Sequence, residues 1–193
     1  MGFFSITLGI LTLITIALVL LAAGLYNKLT RLRVQTDNAW SQIDVQLKRR
    51  YDLIPNLVET VKGYASHEKE TLEAVIQARN AAMNSSGGEA AKAQKENMLS
   101  STLKSIFALQ EQYPDLKANE NFLNMQEEVT TTENKISFAR QHYNDSVSSY
   151  QTQLEVFPSN LVADFFNFEN REFFELDDTE SAAVKQTPDV SFD

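Results

Sequence analysis

The chain has 193 residues, 17 Lys and Arg against 26 Asp and Glu for a net charge of -9, and no cysteine. That length suits one modest domain, alone or with an anchor. The acidic balance argues against nucleic acid as a partner, since phosphate binding needs clustered cations; the lack of cysteine excludes disulfides and acylation as a lipoprotein, and fits a reducing compartment.

From Gly2 to Asn27 no side chain is charged. At about 1.5 Å per residue, roughly 20 such residues cross a hydrocarbon core of about 30 Å. Residues 3–25 are therefore expected to form a transmembrane helix, with residues 1–2 as a short external N-terminus. A cleaved signal peptide would need a basic start and an apolar run of roughly 7–15 residues. Met1-Gly2 carries no basic group and the run is longer, although Ala22-Ala23-Gly24 has the small residues of a cleavage site. A myristoylation signal wants Ser or Thr where this chain has Ile6. Lys28, Arg31 and Arg33 directly follow the span and nothing basic precedes it. Cationic flanks stay inside, which places the N-terminus outside and the body in the cytoplasm.

Beyond the span, Leu29, Leu32, Thr36, Ala39, Ile43, Leu47, Tyr51, Ile54, Leu57, Val61 and Tyr64 follow in steps of three and four. The stripe resumes at Leu72, Val75, Arg79 and Met83, past an interruption at Glu68. This is one buried seam on a long helix expected over 26–84, ended by Gly87-Gly88. A second helix is expected over 89–112, with Leu99, Leu103, Ile106 and Leu109 on one face and Tyr113-Pro114 as its stop. A third is expected over 119–156 with Asn119 as N-cap, and a short fourth over 160–168 after Pro158. No segment alternates as a half-buried strand would. The expected fold is all-α: an N-terminal transmembrane helix, then an antiparallel bundle of three to four long helices over 26–176. Residues 177–193 are acidic, weakly apolar and expected to be disordered. Charge is uneven: residues 26–85 hold nine bases and seven acids, residues 86–193 eight and nineteen.

Pro55 falls inside the seam of the first helix, where proline removes a backbone hydrogen bond and crowds the preceding turn at a cost of about 3 kcal/mol or more. Either the helix kinks there or it breaks into two that fold on each other, which makes Pro55 a candidate hinge. An unbroken helix over 26–84 would reach about 88 Å, against about 36 Å for the second helix. Part of the stripe between Leu29 and Leu47 would then lack cover within the chain and form a stalk suited to self-association.

Catalytic residue types are scarce. His67-Glu68-Lys69-Glu70-Thr71 begins like the zinc-protease motif H-E-x-x-H but has Thr71 in place of the second histidine. Tyr64 and Ala139 stand three residues before His67 and His142, so the Glu-x-x-His pairs of di-iron bundles do not occur. Neither a phosphate-binding glycine loop nor a G-x-S-x-G turn is present. The expectation is a non-enzymatic protein without cofactor or metal. Lys48-Arg49-Arg50 is the densest basic cluster, read either as helix-surface charge paired with Asp44 and Asp52 or as a partner-binding patch. Trp40 is read as core. Phe157, Phe165, Phe166, Phe168, Phe173 and Phe174 are read as a plug closing one bundle end, or else as an exposed docking patch, with Phe173 and Phe174 the candidate contacts.

Longer stretches carry a resemblance. They are Ala39-Trp40-Ser41-Gln42-Ile43-Asp44-Val45-Gln46-Leu47-Lys48-Arg49-Arg50, Asp52-Leu53-Ile54-Pro55-Asn56-Leu57-Val58 and Val61-Lys62-Gly63-Tyr64-Ala65. Further on come Tyr113-Pro114-Asp115-Leu116-Lys117-Ala118-Asn119, Thr132-Glu133-Asn134-Lys135-Ile136 and the closing Glu172-Phe173-Phe174-Glu175. With these the chain resembles the LemA family of bacterial membrane proteins along almost its whole length. It departs at Phe166-Asn167-Phe168, where the family usually places Gly at the central position. The resemblance implies a bacterial cytoplasmic membrane protein with one N-terminal membrane helix and a cytoplasmic helical bundle, and no established catalysis. One family branch takes part in building magnetosome membranes, and the genes often neighbour a membrane metalloprotease, so a membrane protease or another envelope protein is an implied class of partner. The expected role is a membrane-anchored scaffold in envelope maintenance or membrane organisation. The alternative is a sensor that passes a signal through the anchor helix to a separate protein.

Overall fold

The computed structural model describes residues 2–174, and among these every regular element is helical. They are α1 (Gly2–Lys62), α2 (Lys69–Met83), α3 (Glu89–Ala108) with a 3₁₀ turn at Leu109–Glu111, α4 (Pro114–Lys117), α5 (Glu120–Glu155) and α6 (Ser159–Phe165). The acidic tail expected at 177–193 lies outside the described residues. The apolar segment of α1 is long enough and apolar enough to cross a membrane, and none of it is covered by protein.

The helix expected over 26–84 is two helices. The chain passes through Pro55 without leaving the helix and turns at residues 63–68 instead. Gly63, the weakest helix former after proline, starts this turn, and Ala65 plugs it from inside with its amide bonded to Val61 O at 2.8 Å. The seam spacing carries straight across the turn, which is why periodicity alone joined the two helices. The break also gives the remaining helix a partner of equal length in α5. Tyr26 to Lys62 is about 55 Å of helix, and α5 is about 54 Å.

Two compact units are described separately: residues 2–41 with 142–171, and residues 42–141 with 172–174. In the first, Leu29 is buried in a cluster with Tyr150, Leu154 and Ala163, flanked by Leu32, Val162 and Phe168. Trp40 meets Tyr143 edge-on at 5.2 Å. Pairing Trp40 with Tyr143 and Leu29 with Tyr150 and Leu154 makes α1 and α5 antiparallel. Leu29, Thr36 and Ala39 are all fully covered, so the stalk of uncovered seam expected here does not exist. The α6 C-terminus explains the family departure. Asn167 takes the left-handed conformation (φ 53°), the Phe168 amide reaches back to Ala163 O at 3.0 Å, and the Asn167 amide to Asp164 O at 3.3 Å. This is a Schellman ending, and Asn is the residue besides glycine that tolerates its left-handed position.

In the second unit α1, α2, α3 and α5 alternate in direction as an antiparallel bundle, with Leu47, Ile54, Val75, Leu99, Ile106, Val129 and Ile136 in the core. Asn119 caps α5 as expected, its Oδ1 accepting from the Phe122 amide at 2.9 Å. The 63–68 turn is tied to the α4 region. The Tyr113 hydroxyl donates to Glu68 at 2.9 Å and Asn119 Nδ2 donates to the Tyr64 hydroxyl at 2.8 Å. Gly87 at φ +154° makes the α2–α3 turn, where an added Cβ would lie 2.8 Å from Ala91 Cβ.

Candidate functional site

The densest chemistry among the described residues is a buried ionic node in the second unit. Arg50 stands three residues after Leu47 and four before Ile54, so the helical period turns it inward, and it is completely buried. One terminal guanidinium nitrogen donates to Glu96 of α3, which is also fully buried; the other terminal nitrogen donates to Glu133 of α5 and, at 2.8 Å, to Ser100 of α3. The Tyr51 hydroxyl donates to the second oxygen of Glu96, and Ser100 donates to Glu133 at 3.3 Å. Burial, then the hydrogen bond to Glu96, pushes the Tyr51 hydroxyl well above the usual tyrosine range. It stays a protonated donor throughout the physiological range.

Taking such charges out of water costs several kcal/mol per ion, and the gain returns only when every partner is in place. The node joins α1, α3 and α5 through atoms that meet in only one register. Lys92 of α3 pairs with Asp44 of α1 alongside it. A groove of about 500 Å³ opens between α3 and α5 beside the node, lined among others by Ser100, Lys104, Glu133, Asn134 and Arg140.

The basic cluster is therefore split between core and surface. Arg50 is core, against the expectation of a three-residue patch. Lys48 is exposed, and Arg49 is half exposed with Glu128 at 4.0 Å. Asp44, expected as an intrahelical partner, pairs with Lys92 instead.

The phenylalanines also separate. Phe174 is buried in the second unit with the Arg140 guanidinium 4.4 Å above its ring, while Phe173 is partly exposed. Phe166 and Phe168 lie against Tyr26 in the first unit, and Phe157 and Phe165 face outward. No single plug gathers all six.

Pro55 leaves the Tyr51 carbonyl without its helix donor, and Arg79 Nε of α2 supplies one at 2.7 Å. The basic residues beside the apolar segment are all exposed, and Arg33 also stacks over Phe168 at 5.3 Å. His67 and His142 are exposed in different units. No group of three or more potential metal ligands occurs among the described residues.

Sequence reasoning missed Glu96 and Glu133, and it placed Tyr51 and Arg79 on the seam without their hydrogen-bonding roles. A signal existed: Glu96 stands three residues from both Ala93 and Leu99, and Glu133 lies between Val129 and Ile136 at seam spacing. The closing motif has a use as well. Glu172 accepts from the Ala90 amide at 3.3 Å, placing a carboxylate at the N-terminus of α3, where the helix dipole favours it.

The sequence profile of the LemA family matches residues 39–192. The chain is 27% identical to Protein LemA of Metamycoplasma hominis, over 94% of this chain and 80% of that protein. It is 22% identical to Magnetosome proteins MamQ 1 and MamQ 2 of Paramagnetospirillum magneticum, covering 78% of this chain and 64% of each.

Proposed function

This chain belongs to the LemA family, and from that premise we propose that it is a non-enzymatic scaffold. Its N-terminal helix is anchored in the bacterial cytoplasmic membrane, and its helical body holds protein partners in the cytoplasm. One observation carries the reading. The first part of α1 is apolar and entirely uncovered, while the same helix from Leu29 onward is packed. Uncovered apolar helix needs an apolar solvent, and a bilayer is the one that fits its length. Lys28, Arg31 and Arg33 set the direction, with the N-terminus outside. The magnetosome relatives support a role in membrane organisation. Membrane proteases and other envelope proteins are the partners to look for, and self-association is a further outcome.

The test uses the full chain in bacterial membranes. A photocrosslinker at exposed Lys48 or Arg49 is expected to trap discrete species that survive detergent extraction. Adducts no different from those of random membrane neighbours would overturn the scaffold reading. Because the chain has no cysteine, G2C and S148C also report direction. G2C is expected to react with an impermeant thiol reagent in intact spheroplasts, and S148C only after lysis; the reverse pattern overturns the assigned topology.

A second reading, a transducer, is favoured by the unbroken course of α1 from Gly2 to Lys62. It predicts that P55A alters the set of crosslinked partners at unchanged abundance; an unaltered set counts against it.

A further inference from the structure

We propose that the α5–α6 corner and the outer face of α6 lie in the lipid interface beside the anchor, a second membrane contact made by Phe157, Leu161 and Phe165. The inference rests on the anchor reading above and adds to it a lipid-facing surface at the other end of the chain's sequence.

Three observations within the first unit converge on this surface. The first is exposure. Phe157, Leu161 and Phe165 are 79%, 60% and 78% exposed, and Val156 and Phe166 beside them are also open. Leu161 and Phe165 are one turn apart, so they share the outer face of α6, while Ser159 and Ala163 form its buried face. A helix facing water puts polar groups outward. Here the outward face is apolar, with Asn160 and Asp164 at its flank.

The second is register. Trp40 pairs with Tyr143, and Leu29 clusters with Tyr150 and Leu154. Continuing this antiparallel register brings Phe157 level with Tyr26, the first polar side chain past the apolar segment apart from the hydroxyls within it.

The third is direct contact. The Tyr26 ring touches Phe166 at 4.8 Å and Phe168 at 5.6 Å, and Phe166 touches Phe165 at 4.9 Å. A tyrosine at the end of a span sits at headgroup depth. An aromatic chain running from it into α6 holds that helix at the same level, within the roughly 5–10 Å that interfacial helices penetrate. Lys28 and Arg31, exposed next to it, supply cations for anionic headgroups. The occupant is therefore lipid, specifically the leaflet that the anchor already enters.

The test is depth measurement on the full chain in vesicles of phosphatidylethanolamine and phosphatidylglycerol. F157C, L161C and F165C each carry a nitroxide, and collisions with oxygen and with a water-soluble nickel chelate are compared. F138C, exposed in the other unit, is the aqueous reference, and L13C in the apolar segment is the lipid reference. The labelled positions are already outward, so the labels displace no core.

The expected result is an oxygen-to-nickel ratio at the three sites several-fold above F138C and approaching L13C. Ratios equal to F138C while L13C reads lipid overturn this inference and leave the anchor standing. A watery reading at L13C overturns both. Suppression of both collision rates at the three sites means that protein, such as a second copy, covers the surface, and that also overturns it.

Discussion

Arg79 Nε lies 2.7 Å from the backbone oxygen of Tyr51, the acceptor that Pro55 deprives of its helix partner. A buried carbonyl left unsatisfied costs about 1–3 kcal/mol, and a side chain from the next helix meets that need. The proline therefore costs α1 less than its position implies, and it ties α1 to α2. What the sequence marks as a weak point is a cross-helix attachment.

A coupling experiment checks this. R79A is expected to destabilise the full chain in detergent by about 1.5–3 kcal/mol, the range for a charge-assisted bond. In a P55A background the restored amide satisfies Tyr51 O, so the same substitution should cost at least about 1 kcal/mol less. Urea unfolding followed by helical circular dichroism measures both arms; equal costs would refute the link.

The ionic node predicts strong non-additivity. R50M strands two carboxylates and is expected to lose about 3–5 kcal/mol, whereas adding E96M removes the buried Glu96 charge and should recover a large part of that loss. R50K is also expected to fail, since an ammonium lacks the planar fork that reaches both acids. Thermal melts of the three variants distinguish the outcomes.

Tyr51 gives a pH dependence. Its folded pKa is raised above the unfolded value near 10, so its contribution is fully present below about pH 10 and is lost as pH rises further. Tyr150, raised by burial, and Tyr113, raised chiefly by its hydrogen bond to Glu68, act in the same direction. Y51F should flatten the alkaline loss of stability by up to about 1.4 kcal/mol per pH unit, measured by urea titrations between pH 9 and 11.

Asn167 predicts a graded series at the end of α6. N167G should be neutral or stabilising by a few tenths of a kcal/mol, and N167V should cost about 1–3 kcal/mol, because a β-branched residue resists the left-handed region. Tm shifts of opposite sign are the readout.

Much of the architecture was readable because helix periodicity and caps are local properties. The Asn119 cap, the glycine turn at 87–88 and the extents of α3, α5 and α6 came within a few residues of the observed bounds. The turn at 63–68 escaped because its seam residues keep helical spacing through it, and because Pro55 drew attention to the wrong place. Arg50 escaped for a different reason. Two other bases adjoin it, so it reads as surface charge until Glu96 and Glu133, from distant parts of the chain, are seen to meet it. Long-range partners decide which of three adjacent cations goes inside, and no local pattern names them.

The cluster around Leu29 also has a consequence in time. Its cover, Tyr150 and Leu154, is made about 120 residues after it, which at about 5–20 residues per second leaves that stripe open on the order of ten seconds during synthesis. Over that interval the first helix carries an open apolar stripe. Helices made much later close over it.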